Sequence, residues 1–346
     1  KMSFPQPKKG GGKQPSIDQN ARFIDISYCL YNALLTGERP GSMMEKRPCR
    51  LVRRKGSGDI MGQKKSVAVI GLGNMGGGIA SCLAKKGYPL FVYDKSGEKR
   101  EAFRDCAQPC ASAEEAVRAG GTVLLSLPNS KVVEETIAAL PDDAVEGKIF
   151  MDLSTSFPLS TKELAGSLAK KGAVLLDAPL LAGPDEAKAG TLTAMVGGDE
   201  AAFTRVSPLL ADFCETFSYV GASGSAHTMK IMMNFTGLMY AVLLGQMFPL
   251  AEKMGLDPNE LYHLMDNDVF SNWMYRFYAP KMIDRSFTEA FSLKLGLKDL
   301  HYMKDLYDAY GVPAFALDGG IDLLERCVAD GRGDHDFSEC AAMMYK

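Results

Sequence analysis

Val67-Ala68-Val69-Ile70-Gly71-Leu72-Gly73-Asn74-Met75-Gly76 reads as an apolar strand that runs straight into a glycine-rich turn, and Gly77 to Lys86 continues it as a helix-like stretch. A second apolar strand, Leu90-Phe91-Val92-Tyr93, then ends on Asp94. Strand, turn, helix, strand and acidic residue in this order are what a dinucleotide site requires. Gly71 permits the tight turn, Gly73 lets backbone approach a pyrophosphate, and Gly76 lets the helix pack close to the strand. Leu72, Asn74 and Met75 complete the loop, and the free N–H groups at the helix start face the phosphates. Taken alone, such a glycine spacing is a common strand-to-helix turn; the register of all five features carries the reading. The Asp94 carboxylate accepts hydrogen bonds from the ribose hydroxyls and repels a 2′-phosphate, which favours NAD. Lys95, Lys99 and Arg100 lie near enough to meet a 2′-phosphate, so NADP is the alternative.

Beyond this unit, short β-rich runs (Gly121 to Leu127, Gly147 to Asp152, Ala173 to Asp177, Thr191 to Val196) alternate with helical patterns (Ser130 to Ala139, Pro158 to Lys170, Asp199 to Ala211). Alternation of this kind predicts a mainly parallel sheet covered by helices on both faces, an α/β Rossmann-type doubly wound domain over residues 61–224. After Gly224 the strand signal stops. Thr228 to Lys253, Pro258 to Asp266, Ser292 to Tyr310 and Pro313 to Gly331 are helical in pattern. Residues 225–346 are therefore expected to form an all-α domain, with the first long helix joining the halves. Ligands of open α/β sheets bind beyond the carboxyl ends of the strands, so the cleft should lie between the domains.

With 346 residues and 46% hydrophobic composition, the chain can build two cores. Its eight cysteines are scattered without C-x-x-C or histidine-ligand spacing, which points to reduced thiols and to no metal site. Cys106 and Cys110, four apart, read as a helix end. Phe235 to Leu250, the most apolar run, is read as too short for a membrane span and as a buried helix. The net charge of −3 conceals an asymmetry: residues 1–60 hold 12 Lys/Arg against 5 Asp/Glu, and the remainder holds 27 against 37. With Gly10-Gly11-Gly12 and scattered prolines, this basic extension is expected to be largely disordered. A translated leader, with folding from near Met61, is the favoured reading; an arm for an acidic partner and a targeting peptide are the others. A cytoplasmic location follows, or a mitochondrial one if residues 1–60 target the chain.

Four motifs then resemble the β-hydroxyacid dehydrogenase family, over roughly residues 66 to 340. They are Gly71-Leu72-Gly73-Asn74-Met75-Gly76 with Ala80 and Leu83; Asp177-Ala178-Pro179-Leu180-Leu181-Ala182-Gly183, continuing through Gly190-Thr191-Leu192-Thr193 to Val196-Gly197-Gly198; Gly221-Ala222-Ser223-Gly224 with Lys230 and Asn234; and Leu297-Lys298-Asp299-Leu300. The resemblance implies an NAD(P)-dependent oxidoreductase acting on CH–OH, of the 3-hydroxyisobutyrate dehydrogenase or semialdehyde reductase kind. It implies a small hydroxy acid or aldehyde as substrate, a homodimer or homotetramer, and no membrane partner. It also assigns Lys298, Leu127, Pro128, Asn129 and Thr155 to the cofactor side, and a usually structural role to Asp299.

The residues support the same chemistry directly. Lys230 and Asn234 are four apart on a helix and share a face. Hydride exchange at a carbonyl needs a group that gives a proton to the developing alkoxide and takes one in reverse, and a lysine desolvated in a cleft can do both. Lys230 is read as that acid/base and Asn234 as a hydrogen bond to the substrate oxygen. A helical lysine is ordinarily a solvated charge; the apolar neighbours Met229, Ile231, Met232 and Met233 and the domain junction reverse that expectation here.

Two departures from the family bear on substrate choice. Where the family carries Ser-Gly-Gly to hold a substrate carboxylate, this chain has Leu181-Ala182-Gly183, and leucine has no donor. Met233 stands in place of a second asparagine, and Phe270, Trp273 and Phe277 are candidates for the same apolar wall. An imine reductase of the same fold is one alternative, opposed by the presence of Lys230. A non-catalytic nucleotide-binding interaction protein, its basic arm meeting nucleic acid, is the other and is less favoured.

Overall fold

In the computed structural model of this chain, residues 51–53, 65–288 and 290–345 are described. The readings made of residues 1–50 and 54–64 lie outside the described residues. The strands are β1 (Leu51–Arg53), β2 (Val67–Ile70), β3 (Leu90–Tyr93), β4 (Gln108–Pro109), β5 (Thr122–Leu125), β6 (Ile149–Asp152), β7 (Val174–Asp177), β8 (Leu180–Leu181), β9 (Leu192–Gly197) and β10 (Cys214–Gly221). Between them lie helices α1 (Asn74–Lys85), α2 (Gly97–Glu101), α3 (Ala113–Ala119), α4 (Ser130–Ala138), α5 (Asp142–Val145), α6 (Pro158–Lys170), α7 (Pro184–Ala189) and α8 (Glu200–Phe213).

Every residue of β2 and β6 is buried, as a strand covered on both faces requires. The sheet order is β1-β10-β9-β7-β6-β5-β2-β3-β4, with β8 attached to β9. From β4 to β7 all neighbours pair in parallel, and the chain changes direction across the sheet between β2 and β5, where the glycine loop emerges. Ile79, Leu83, Phe203, Leu210 and Phe213 fill one face. Val117, Val133, Ile137 and Leu168 fill the other.

The unbroken run of parallel neighbours ends at β7. β9 runs antiparallel to β7 and β8, and β10 lies parallel to β9. The stretch from Asp177 to Leu192 holds only the two-residue β8 and the six-residue α7, too little for a crossover back over the sheet, so the chain folds back on itself. Its register places β8 beyond the carboxyl end of β7, since Asp177 pairs with Gly197 and Leu181 with Thr193. β1 then pairs antiparallel with β10. Three residues of the extension expected to be disordered are thus part of the sheet, and the expected start near Met61 is corrected to that extent.

The helical half comprises α9 (Ser225–Lys253), α10 (Pro258–Met265), α11 (Trp273–Ile283), α12 (Leu293–Ala309) and α13 (Phe315–Cys327), closed by a π turn over Val328–Arg332 and a 3-10 helix over Phe337–Met343. Ile231, Leu238, Val242 and Phe248 of α9 form its centre with Tyr275, Leu300, Leu324 and Phe337. Gly296 on α12 lets the Phe337 ring approach to where a Cβ would stand 2.4 Å from it. The apolar run read as too short for a span is the middle of a 29-residue helix that by length and composition could cross a membrane; here its inward side packs into the helical core. Cys106 and Cys110 flank β4 and do not end a helix.

Candidate active site

The three glycines of the first turn have separate tasks. Gly71 has φ +95°, and a Cβ there would lie 2.1 Å from Ser126 O at the end of β5. A Cβ on Gly76 would lie 2.0 Å from Gly71 O. Gly73 has open space where a Cβ would go, and as N-cap of α1 it gives the first-turn N–H groups no side-chain acceptor. An uncapped helix start beside an open backbone position suits a pyrophosphate, so the fit of this loop to a dinucleotide rests on its own geometry. Asn74 is exposed as the first helical residue, and Met75 packs partly against the sheet core. Asp94 is held in place from the loop: its carboxylate accepts from Leu72 N at 2.8 Å and Ser96 N at 2.9 Å. Arg100 donates to Asp94 O at 2.6 Å and lies over the Tyr93 ring.

Two loops at the carboxyl ends of β5 and β6 are tied together. Leu127 N donates to Ser154 Oγ at 2.9 Å, and Asp152 accepts from Ser154 N and from Ser156 Oγ. Asn129 has a structural task, because its side chain caps α4 by accepting from Val132 N at 3.0 Å. Pro128 is exposed in front of it. Ser130 N donates to Tyr302 OH at 2.9 Å, which fastens this loop to α12.

α9 starts on an anchor the sequence reading did not assign. The fully buried Asp177, at the end of β7, accepts from Gly224 N, Ala226 N and His227 N at 2.9, 2.8 and 3.1 Å. Three charge-assisted bonds to a helix N-terminus fix the position of the helix that carries Lys230 and Asn234. Gly197 is required beside it, since a Cβ would stand 2.7 Å from Asp177 Oδ1.

One turn apart on α9, Lys230 and Asn234 face α12. Asn234 Nδ2 donates to Asp299 Oδ2 at 2.6 Å. Lys298 Nζ donates to Thr155 O at 3.0 Å and lies 3.1 Å from Asp299 Oδ1, an ion-pair contact without hydrogen-bond alignment. Lys298 also sits over the Tyr302 ring. Lys230 keeps a partial opening to solvent, yet its ammonium lies deep among protein atoms. Burial pulls its pKa below the ordinary lysine value; Asp299 opposes that shift and Lys298 adds to it. The structure thus brings Lys230, Asn234, Lys298 and Thr155 together, and it makes Asp299, read as structural, the hub that orients two of them.

The loop after β8 is less open to a carboxylate than expected. Leu181 is half-buried, Ala182 takes φ +82° with a side chain, and Gly183 N donates to Glu186 Oε2 at 3.0 Å. One of the backbone N–H groups expected to serve a substrate anion is therefore occupied by the chain's own carboxylate. Of the aromatic candidates, Trp273 is 66% exposed and stacks at 4.6 Å on Phe277, which packs against the helical core, and Phe270 is exposed. Met232 and Met233 are exposed beside Asn234.

Comparison with known proteins follows the same division. Residues 66–221 match the family described as the NAD binding domain of 6-phosphogluconate dehydrogenase, and residues 224–344 match the NAD-binding domain of NADP-dependent 3-hydroxyisobutyrate dehydrogenase. The chain is 31% identical to the mitochondrial 3-hydroxyisobutyrate dehydrogenase of Rattus norvegicus over 290 residues, 80% of this chain and 86% of that protein. The chain belongs to the β-hydroxyacid dehydrogenase family. As a β-hydroxyacid dehydrogenase it is an NAD(P)-binding oxidoreductase acting on the CH–OH group of hydroxy acids. It is also 28% identical to the 2-hydroxy-3-oxopropionate reductase of Escherichia coli, over 78% of this chain and 93% of that one. A solved 3-hydroxyisobutyrate dehydrogenase of Mycobacterium tuberculosis with L-serine superposes with a TM-score of 0.76 at 27% identity, over 82% of this chain and all of that one.

Proposed function

We propose that this dehydrogenase interconverts a short 3-hydroxy acid and its semialdehyde or ketone, with Lys230 as general acid/base and NAD as the preferred cofactor. The observation that carries the assignment is a half-buried lysine on the interdomain helix, its ammonium deep among protein atoms and its pKa lowered by that burial, one turn from an asparagine anchored by Asp299. The bound nicotinamide supplies the hydride donor or acceptor. Neutral Lys230 takes the proton of the substrate hydroxyl in oxidation, and its ammonium form returns one to the developing alkoxide in reduction. Asn234 has one amide hydrogen on Asp299, so its second amide hydrogen and Oδ1 are left for the substrate oxygen. Lys298, fixed on Thr155 O, holds the nicotinamide side of the cleft. Gly71, Gly73 and Gly76 with the start of α1 serve the pyrophosphate, and Asp94 serves the ribose. Leu181, Ala182 and Gly183, with the Gly183 amide already on Glu186, favour a substrate whose grip at that end is more apolar than ionic. An imine reductase reading is opposed by Lys230. Self-association into a homodimer or homotetramer and a cytoplasmic location belong to the same proposal.

The test is oxidation of NADH and NADPH by the purified chain against a panel of short semialdehydes and ketoacids. Turnover with a tenfold or larger kcat/KM preference for NADH is expected. An equal preference for NADPH would remove Asp94 from its role, and binding of NADH without turnover on any member of the panel would overturn the catalytic reading.

A further inference from the structure

The third residue of α9 is His227, three positions before Lys230 and therefore one turn from it on the same helix. Its side chain is fully buried and bridges two elements. Nε2 lies 3.1 Å from Ser154 O, and Nδ1 lies 2.8 Å from Thr161 Oγ1 on α6. A carbonyl only accepts, so a ring proton belongs on Nε2, and Nδ1 shares the single Thr161 hydroxyl hydrogen with Phe157 O, which lies 3.1 Å from Thr161 Oγ1. Asp152 Oδ2, 3.8 Å from Nε2, is the nearest carboxylate.

Ser154 is already tethered on two sides. Its Oγ accepts from Leu127 N, its N–H donates to Asp152, and the next residue's carbonyl holds Lys298. Those bonds tie the loop to the sheet and to α12. His227 ties it to the helix that carries Lys230. Since Asp177 fixes the backbone of the same turn, the imidazole sets how far the Thr155 loop stands from that helix.

We infer that His227 is a positioning residue for the reaction, clamping the Ser154–Thr155 loop to the first turn of α9 and so setting the separation between the nicotinamide side of the cleft and Lys230. The inference rests on the roles proposed for Lys230 and Thr155. Removing the imidazole takes from the buried Ser154 O its bond to α9 and leaves Thr161 Oγ1 bonded to Phe157 O alone, which loosens the loop without touching a reacting group.

The test uses the full chain with His227→Leu, which removes both bonds, and His227→Gln, which retains an N–H donor at similar reach. Amide exchange of the segment Leu153–Phe157 is read with and without NADH, beside kcat and KM for the best substrate of the panel. In His227→Leu the segment should exchange about tenfold faster or more, and kcat should fall about tenfold or more while KM stays within about threefold. His227→Gln should recover at least half of the loss on a logarithmic scale. A folded His227→Leu enzyme with wild-type exchange and kcat within twofold would overturn the inference. If that variant fails to fold, His227→Asn, whose shorter side chain does not reach Ser154 O, decides in its place: faster exchange in the segment supports the clamp, and wild-type exchange and kcat contradict it. Should the wild-type chain turn over no substrate, the catalytic roles fall separately, and exchange of Leu153–Phe157 decides the clamp alone.

Discussion

Asp299 shows how a residue that touches no reacting atom can set the chemistry. Its carboxylate accepts from Asn234 and faces Lys298, and its charge holds the Lys230 pKa higher than burial alone would. In the oxidation direction Lys230 must be neutral, so kcat/KM rises with pH and levels off above its pKa. Asp299→Asn keeps an acceptor for Asn234 but removes the charge that opposes the downward shift, and it leaves Lys298 uncompensated nearby. The acid limb of the pH profile should therefore move to lower pH, with kcat reduced roughly three- to thirtyfold through poorer orientation. A pH–rate profile checks both, and a limb moving to higher pH contradicts the assignment. Lys230, Asn234 and Lys298 stand out in the sequence as candidates because their spacing and motifs are local. Asp299, Asp177 and His227 gain their meaning only from partners 65, 49 and 73 positions away, which no local pattern displays.

Among the elements, the unit from β2 through α1 to β3 was the most legible, because fully buried strands read as unbroken apolar runs and the glycine spacing marks the turn between them. β10 was not read. Its Cys-Glu-Thr-Phe-Ser-Tyr-Val-Gly run mixes exposed and half-buried positions at the side of the sheet, so neither an apolar run nor a clean alternation survives. α11 was missed for a different reason: aromatic residues and an internal Pro280 make it a poor helix by propensity, and contacts with α9 supply what propensity does not. The glycine turn gives a prediction at this scale. Gly73→Ala places a methyl in open space beside the pyrophosphate path, so the protein should fold normally and bind NADH about tenfold more weakly or worse. Gly71→Ala forces a side chain to φ +95° and into Ser126 O, so it should lower the melting temperature by several degrees before binding is considered. Titration of NADH and thermal melts separate the two; equal effects of both on stability would contradict the division of labour.

Across the whole molecule, the helical half leaves an apolar surface uncovered. Leu243 and Leu250 on α9 and Met254 at its C-cap form a stripe, and Leu264, Val269, Trp273 and Phe315 are more than 60% exposed beyond it. An uncovered surface of this kind suits association, and a second copy of the chain is the occupant proposed above. The paired substitution Leu243→Glu with Leu250→Glu should convert an oligomer to monomers in sedimentation velocity at micromolar concentration. A wild-type chain that sediments as a monomer, or a variant that keeps its assembly, would remove this face from the interface. The two-domain division was visible in the sequence because strand signals end at Gly224. The antiparallel return through β8 and β9 was not, since direction depends on the length of the α7 connection.

The measurement that tests the account most directly is the Lys230→Met variant, followed by kcat, NADH affinity and thermal stability together. A fall in kcat of about 10² or more is predicted, with NADH affinity within about threefold of wild type. Below the depressed pKa of Lys230 its charged form is present in both folded and unfolded chains and its burial is unfavourable; the penalty starts to fall as pH rises through that pKa and is gone only above the ordinary lysine value. Removing the charge should therefore raise the melting temperature near neutral pH by about 2–4 °C. A Lys230→Met enzyme that turns over within tenfold of wild type, or that melts lower than wild type while binding NADH normally, would contradict the assignment of Lys230 as the buried acid/base.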